Sequence, residues 1–228
     1  MADDNKGLDT TQGLRKMSAL EALRKQAEQR AKVEDPQVVR AKAIEALNKE
    51  MRDVSQYLAQ IGGEISSVKP QAGMPYEVLF FGKIPVMLSN AWVDSRPRKV
   101  DGLDCCECVS MRYQVNPESP AKATLLAGDI AQTEQTLKML GAEYQMTVEQ
   151  KNDFGQARKA SFTIKGKILN EIEILADYTN LAVNVELINL WKPGKRRHRI
   201  PAASFKDIGD EVARYILGVD KDFEARLK

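Results

Sequence analysis

Between Ala160 and Pro201 the apolar residues take every second position: Phe162, Ile164 and Ile168, then Ile172, Ile174, Ala176 and Tyr178. After a change of phase the alternation continues through Leu181, Val183, Val185 and Leu187. A period of two places each set on one face of a β-strand. The breaks at Leu169-Asn170 and Thr179-Asn180 read as tight turns. Trp191-Lys192-Pro193-Gly194 reads as a hairpin loop, because proline presets φ and glycine accepts positive φ. With a further alternating run at Tyr144, Met146 and Val148, the pattern predicts one antiparallel meander over residues 144–200.

Nearer the start the period changes to that of a helix. Ile44, Leu47, Met51, Val54, Leu58 and Ile61 are spaced 3-4-3-4-3, the seam of a heptad repeat. Asp35-Pro36 supplies an N-cap and a proline at the first helical position, and Gly62-Gly63 is the expected stop. The seam packs on the protein's own body or meets a helix of another subunit. Residues 13–33, rich in Ala, Leu, Glu, Gln, Lys and Arg, predict a preceding helix with a weaker stripe. Ser119-Pro120 predicts another helix, to about Leu140, and Ser204 caps a last one carrying Phe205, Ile208, Val212 and Ile216 inward. Short strands are expected at Tyr76 to Phe81, Ile84 to Leu88 and Leu103 to Val115, with residues 90–102 irregular.

Strands and helices segregate rather than alternate, so the expected class is α+β: an antiparallel β-sheet meander with packed helices, preceded by an N-terminal helical hairpin or coiled-coil-like segment. The expected divisions are a disordered tail over 1–12, a helical segment over 13–63, a linker over 64–73 and an α+β domain over 74–228.

Composition changes this picture little. The 228 residues are 43% hydrophobic and 29% charged, with a net charge of +2, so an anionic partner must be sought by local patches. No apolar run approaches the ~18 residues that cross a bilayer, so no membrane partner is expected. The polar opening lacks the features of a secretory signal or transit peptide. All three cysteines, Cys105, Cys106 and Cys108, fall within four positions, which is no disulfide framework. Together these point to a reducing cytoplasm.

Candidate chemistry is sparse. Zinc needs four ligands, and beside the three thiols the chain has one histidine, His198. Buried structural thiols are therefore weighed above a metal site, and no cofactor is expected. There is no nucleophile elbow, phosphate loop or dinucleotide turn, so no catalytic residue is named. Two basic clusters remain: Arg96, Arg98 and Lys99, and Lys195, Arg196, Arg197 and Arg199 with Trp191 at their foot. Such clusters suit an anion, and a tryptophan can stack a base. They also suit a charged hairpin that protects an edge strand. The sequence thus supports a non-enzymatic binding or adaptor protein that docks or self-associates through residues 13–63. The alternative is a module for nucleic acid or nucleotides.

Overall fold

The computed structural model describes Arg24 and residues 35–206 and 208–227. By contacts the chain divides into two units, Met1–Lys42 and Ala43–Lys228. The expected helix over residues 13–33 and the tail over 1–12 lie outside the described residues, apart from Arg24.

Helix α1 (Pro36–Val68) opens as the sequence predicts. The Asp35 carboxylate accepts from the Gln37 N–H at 2.9 Å, one of the donors a helix start leaves without a partner. Gly62-Gly63 does not end the helix. Ile65 extends the buried stripe one more turn, and Gly62 faces Ala91, Val93 and Met111 with room for no more than a Cβ at ordinary contact distance. The helix stops where Lys69 turns to positive φ ahead of Pro70. The linker expected over 64–73 therefore shrinks to its second half. Gln71 there bridges to Met87.

A small hairpin follows, β1 (Tyr76–Val78) and β2 (Gly82–Ile84), turning at Leu79 to Phe81, which the sequence pattern assigns to the first strand. Next comes a long hairpin, β3 (Val86–Val100) and β4 (Leu103–Pro117). Residues 90–102, expected to be irregular, form most of β3 and its turn because β4 supplies a partner along their length. Asp101 and Gly102 both take positive φ between the paired Val100 and Leu103, the geometry that two-residue hairpins require. Strand β5 (Ala121–Leu126) occupies the opening of the helix expected from Ser119-Pro120. Ala123 and Leu125 alternate inward against β7, and this pairing overrides a weak helical signal. Helix α2 (Ala127–Met139), β6 (Tyr144–Lys151) and β7 (Ala157–Ile164) complete a three-stranded sheet of order β5-β7-β6.

The chain then changes sheet. Strands β8 (Ile168–Asp177), β9 (Ala182–Ile188) and β10 (Lys195–Pro201) join the long hairpin in a five-stranded antiparallel sheet of order β10-β9-β8-β4-β3. The expected single layer over 144–200 is thus two sheets. The break falls at Lys165 to Lys167, where Lys165 and Lys167 exchange backbone hydrogen bonds with Glu143. Leu169-Asn170 is no turn but part of β8, and Asn170 is buried. Helices α3 (Ile208–Ile216) and α4 (Phe223–Arg226) close the chain. The α+β class and its antiparallel sheets stand as expected. None of the described helices is long and apolar enough to cross a membrane.

The heptad seam is spent inside this body. Ile44, Leu47, Met51, Val54 and Leu58 are each at most 4% exposed, and Ile61 packs half-buried against the same core. Together they bury on the order of 10 kcal/mol of apolar transfer free energy, at about 2 kcal/mol per side chain. The compact unit accordingly begins at Ala43, inside α1, and not at residue 74. At the other end, Gly73 and Gly218 approach so closely that a Cβ on Gly73 would lie 2.5 Å from the Gly218 carbonyl oxygen.

Candidate functional site

The basic residues of β10 are largely neutralised by carboxylates of their own chain. Lys195 and Arg197 both reach Glu186, at 2.5 and 3.5 Å, and that carboxylate side chain is only 9% exposed. Arg199 pairs with Asp177 at 2.9 Å. Arg196 donates from Nε to both oxygens of Glu224 and from Nη2 to the Leu190 carbonyl. Trp191 is buried, and its indole N–H donates to the Tyr215 carbonyl at 2.9 Å. This run of cations therefore compensates carboxylates held out of water, one of them, Glu186, standing opposite Glu173 on β8.

The other cluster sits on β3. Arg98 pairs with Glu107 at 2.9 Å, and Lys99 is exposed. With Pro97 these charges line an edge strand, a standard defence against pairing with another chain. Strands β3 and β10 are the two opposite edges of the five-stranded sheet, with β4, β8 and β9 between them. The structure does not bring the two basic clusters together.

All three thiols are free and buried. A bulge between Arg96 and Pro97 interrupts the alternation of β4, and Cys105 and Cys106 both join the main core while Cys108 stands outside it. Burial pushes all three thiols up from their ordinary value. Among the described residues no group of three His, Cys, Asp or Glu side chains is arranged to hold a metal ion. His198 lies on β10, separated from β4 by two strands.

What the structure assembles instead is a cleft of about 390 Å³ between α1 and the far end of the long hairpin. Its walls carry Arg52, Ser55 and Gln56 from α1 and Ser95, Arg96 and Pro97 from β3; Asp104, Cys105 and Cys106 of β4 complete it. The cleft exists because the hairpin overhangs the sheet. Pairing of β4 with β8 ends at Cys108, and α1 takes over the exposed strand edge. Asn48 accepts from the Cys106 N–H at 2.8 Å and donates to the Asp104 carbonyl at 3.3 Å, as a neighbouring strand would.

The two arginines are held differently from those of β10. Arg52 donates from Nη2 to the Asp104 backbone carbonyl at 2.7 Å. Arg96 stands beside the Cys108 sulfur; that neighbour first, and the carboxylates of Glu173 and Glu107 less, hold its pKa up, while the guanidinium draws the thiol's part of the way back down. Both anchors are neutral groups, because burial keeps the thiol protonated at neutral pH. Neither guanidinium is in an ion pair with a carboxylate, although Glu173 and Glu107 act on Arg96 from farther off. Arg52 also acts on the thiols of Cys105 and Cys106, where burial raises the pKa and the nearby cation opposes it.

Sequence reasoning singled out Arg96, Cys105 and Cys106 and missed Arg52. The signal was there: Asn48, Arg52, Ser55 and Gln56 recur at helical spacing along one flank of the apolar seam. Beside a seam that packs on a sheet, such a flank is where a helix meets the sheet's edge.

Fold and site together define an antiparallel α+β domain with an arginine-lined cleft under an overhanging hairpin. No protein-family model, curated protein or solved structure matches the chain.

Proposed function

We propose that this chain is a non-enzymatic binding protein whose α1–hairpin cleft takes a small anionic group, a phosphate or a carboxylate. One observation carries the reading: two arginines from different elements line one cleft, Arg52 anchored on a backbone carbonyl and Arg96 beside a thiol, and neither is in an ion pair with a carboxylate. Guanidinium groups so presented donate in pairs to an oxyanion. The hydroxyls of Ser55 and Ser95 and the amide of Gln56 add neutral donors on the same walls. A cleft of about 390 Å³ suits one phosphate-bearing small molecule, a nucleotide included, better than the repeated phosphates of a duplex. Three free thiols favour a reducing compartment such as the cytoplasm.

Calorimetric titration with phenyl phosphate tests this reading. Arg52→Gln and Arg96→Gln are each expected to weaken binding by about tenfold or more, and raised salt to weaken it modestly, in keeping with few contacts. Absence of binding, or an affinity in either variant unchanged from the parent, removes it.

A second reading, docking or self-association through the N-terminal region, keeps one point of support. Val38 and Val39 at the start of α1 are nearly half exposed, whereas the seam from Ile44 to Leu58 has no surface left to offer. On this reading the described part of the docking surface is the start of α1 at Val38 and Val39.

A further inference from the structure

A different part of the molecule carries an unresolved hydrogen-bond account. Tyr113 is fully buried and its hydroxyl has no protein partner; Asn170 is 2% exposed and its Oδ1 has none either. A third buried atom without one is Nη1 of Arg196, whose Nε and Nη2 are both engaged. Buried polar groups are satisfied in the great majority of cases, so each such orphan calls for a cause.

Strand register relates the first two groups, and one loop connects the third to them. Tyr113 and Asn170 are direct cross-strand partners of β4 and β8, so their side chains stand next to each other on the core face. Loop 189–194 ties Arg196 to them. Its Leu190 carbonyl accepts from Arg196 Nη2 at 2.6 Å, and the Asn189 side chain donates to the Leu169 carbonyl, beside Asn170. The Asn189 carbonyl also accepts from the Tyr76 hydroxyl at 2.6 Å. The charge of Arg196 acts on Tyr113, Tyr76 and Tyr215 alike, although burial dominates the upward push on each phenol.

We infer that Tyr113, Asn170 and Arg196 form a buried binding site for water, which bridges β4, β8 and β10 through the three atoms. The chemistry selects this ligand. Arg196 Nη1 can only donate, and Asn170 Oδ1 can only accept. The amide orientation is set by its own Nδ2, which donates to the Ile168 carbonyl at 3.2 Å. An anion would meet the lone pairs of Asn170, and a cation would meet the guanidinium. Water accepts from Arg196, donates to Asn170 and bonds the phenol in either sense, which gives it the usual three partners of an internal water. Strand β10 is then joined to β4 and β8, neither of which it pairs with directly.

Crystals of the full-length protein grown in bromide in place of chloride, together with thermal melts of Tyr113→Phe, test the assignment. The expected density is a single oxygen peak within hydrogen-bond distance of all three atoms, without bromine anomalous signal. The variant is expected to melt about 2–4 °C lower, because the water loses a partner. A hydroxyl with no partner at all would have the opposite sign, since removing it relieves an unpaid desolvation. An anomalous peak at the site, no peak there, or a Tm unchanged or raised in Tyr113→Phe overturns the inference.

Discussion

Arg52 and Arg96 differ from Arg98, Arg112, Arg196, Arg197 and Arg199 in their neighbours: Arg52 reaches a carbonyl and Arg96 stands beside a thiol, where the others form ion pairs with carboxylates. A cation already paired offers little to a ligand, and the pairing of Arg196 with Glu224 shows what it offers the fold instead. Both side chains are about four-fifths buried, at 18% and 22% exposure, and Tyr215 also donates to the carboxylate. Burial alone would raise the Glu224 pKa, but the hydrogen bonds from Tyr215 and Arg196 and the charges of Arg196 and Lys192 outweigh it, and the net shift is downward from 4.5. A carboxyl whose folded-state pKa is depressed contributes stability that is present above its unfolded value and lost as pH falls through the folded one. Glu224→Gln is therefore expected to cost about 1–3 kcal/mol at neutral pH, between exposed and buried pairs. Chemical denaturation below pH 4.5 should find that difference shrinking. A constant difference down to pH 2 would show that the ion pair does not carry it.

Among the elements, α1 has two tasks: its seam fills the core, and its Asn48 flank completes the edge of β4. Removing that flank isolates the second task. Asn48→Leu leaves the Cys106 N–H without an acceptor and is expected to cost about 1–3 kcal/mol. Hydrogen exchange at the Cys106 amide should quicken more than at Val109, which remains inside the sheet; equal protection in both proteins would remove the edge-completing role. The seam itself was legible in the sequence because 3-4 spacing over six residues has no strand reading. So was the hairpin of β9 and β10, marked by alternation around a Pro-Gly loop. Three features were not. The extended form of residues 90–100 depends on β4 as partner, and charge and proline at an edge look like a loop. The strand at Ala121 to Leu126 has helix-compatible residues and is fixed only by β7. The sheet change at Lys165 to Lys167 carries no mark in the alternation, which continues across it. The cleft was half legible for the same reason: local pattern gave Arg96 and the thiols, while Arg52 enters only through the packing of helix on hairpin.

At the scale of the whole molecule, the compact unit from Ala43 to Lys228 contains both the cleft and the part of α1 that lines it. A chain lacking residues 1–34 is expected to keep its Tm within about 2 °C, since no buried side chain of that unit is removed. A chain starting at Ala72 deletes Ile44, Leu47, Met51, Val54, Leu58 and Ile65 from the core and is expected not to fold. Should the shorter chain melt cooperatively at the parent temperature, α1 is an appendage and the cleft loses one wall. The central claim is that the uncompensated arginines, and not the most basic stretch of sequence, receive the anion. Chemical-shift mapping of the full-length protein titrated with phenyl phosphate tests it most directly. The account predicts perturbations at Arg52, Ser55, Ser95, Arg96 and Cys106, abolished by Arg52→Gln; perturbations gathered instead at residues 192–199 would contradict it.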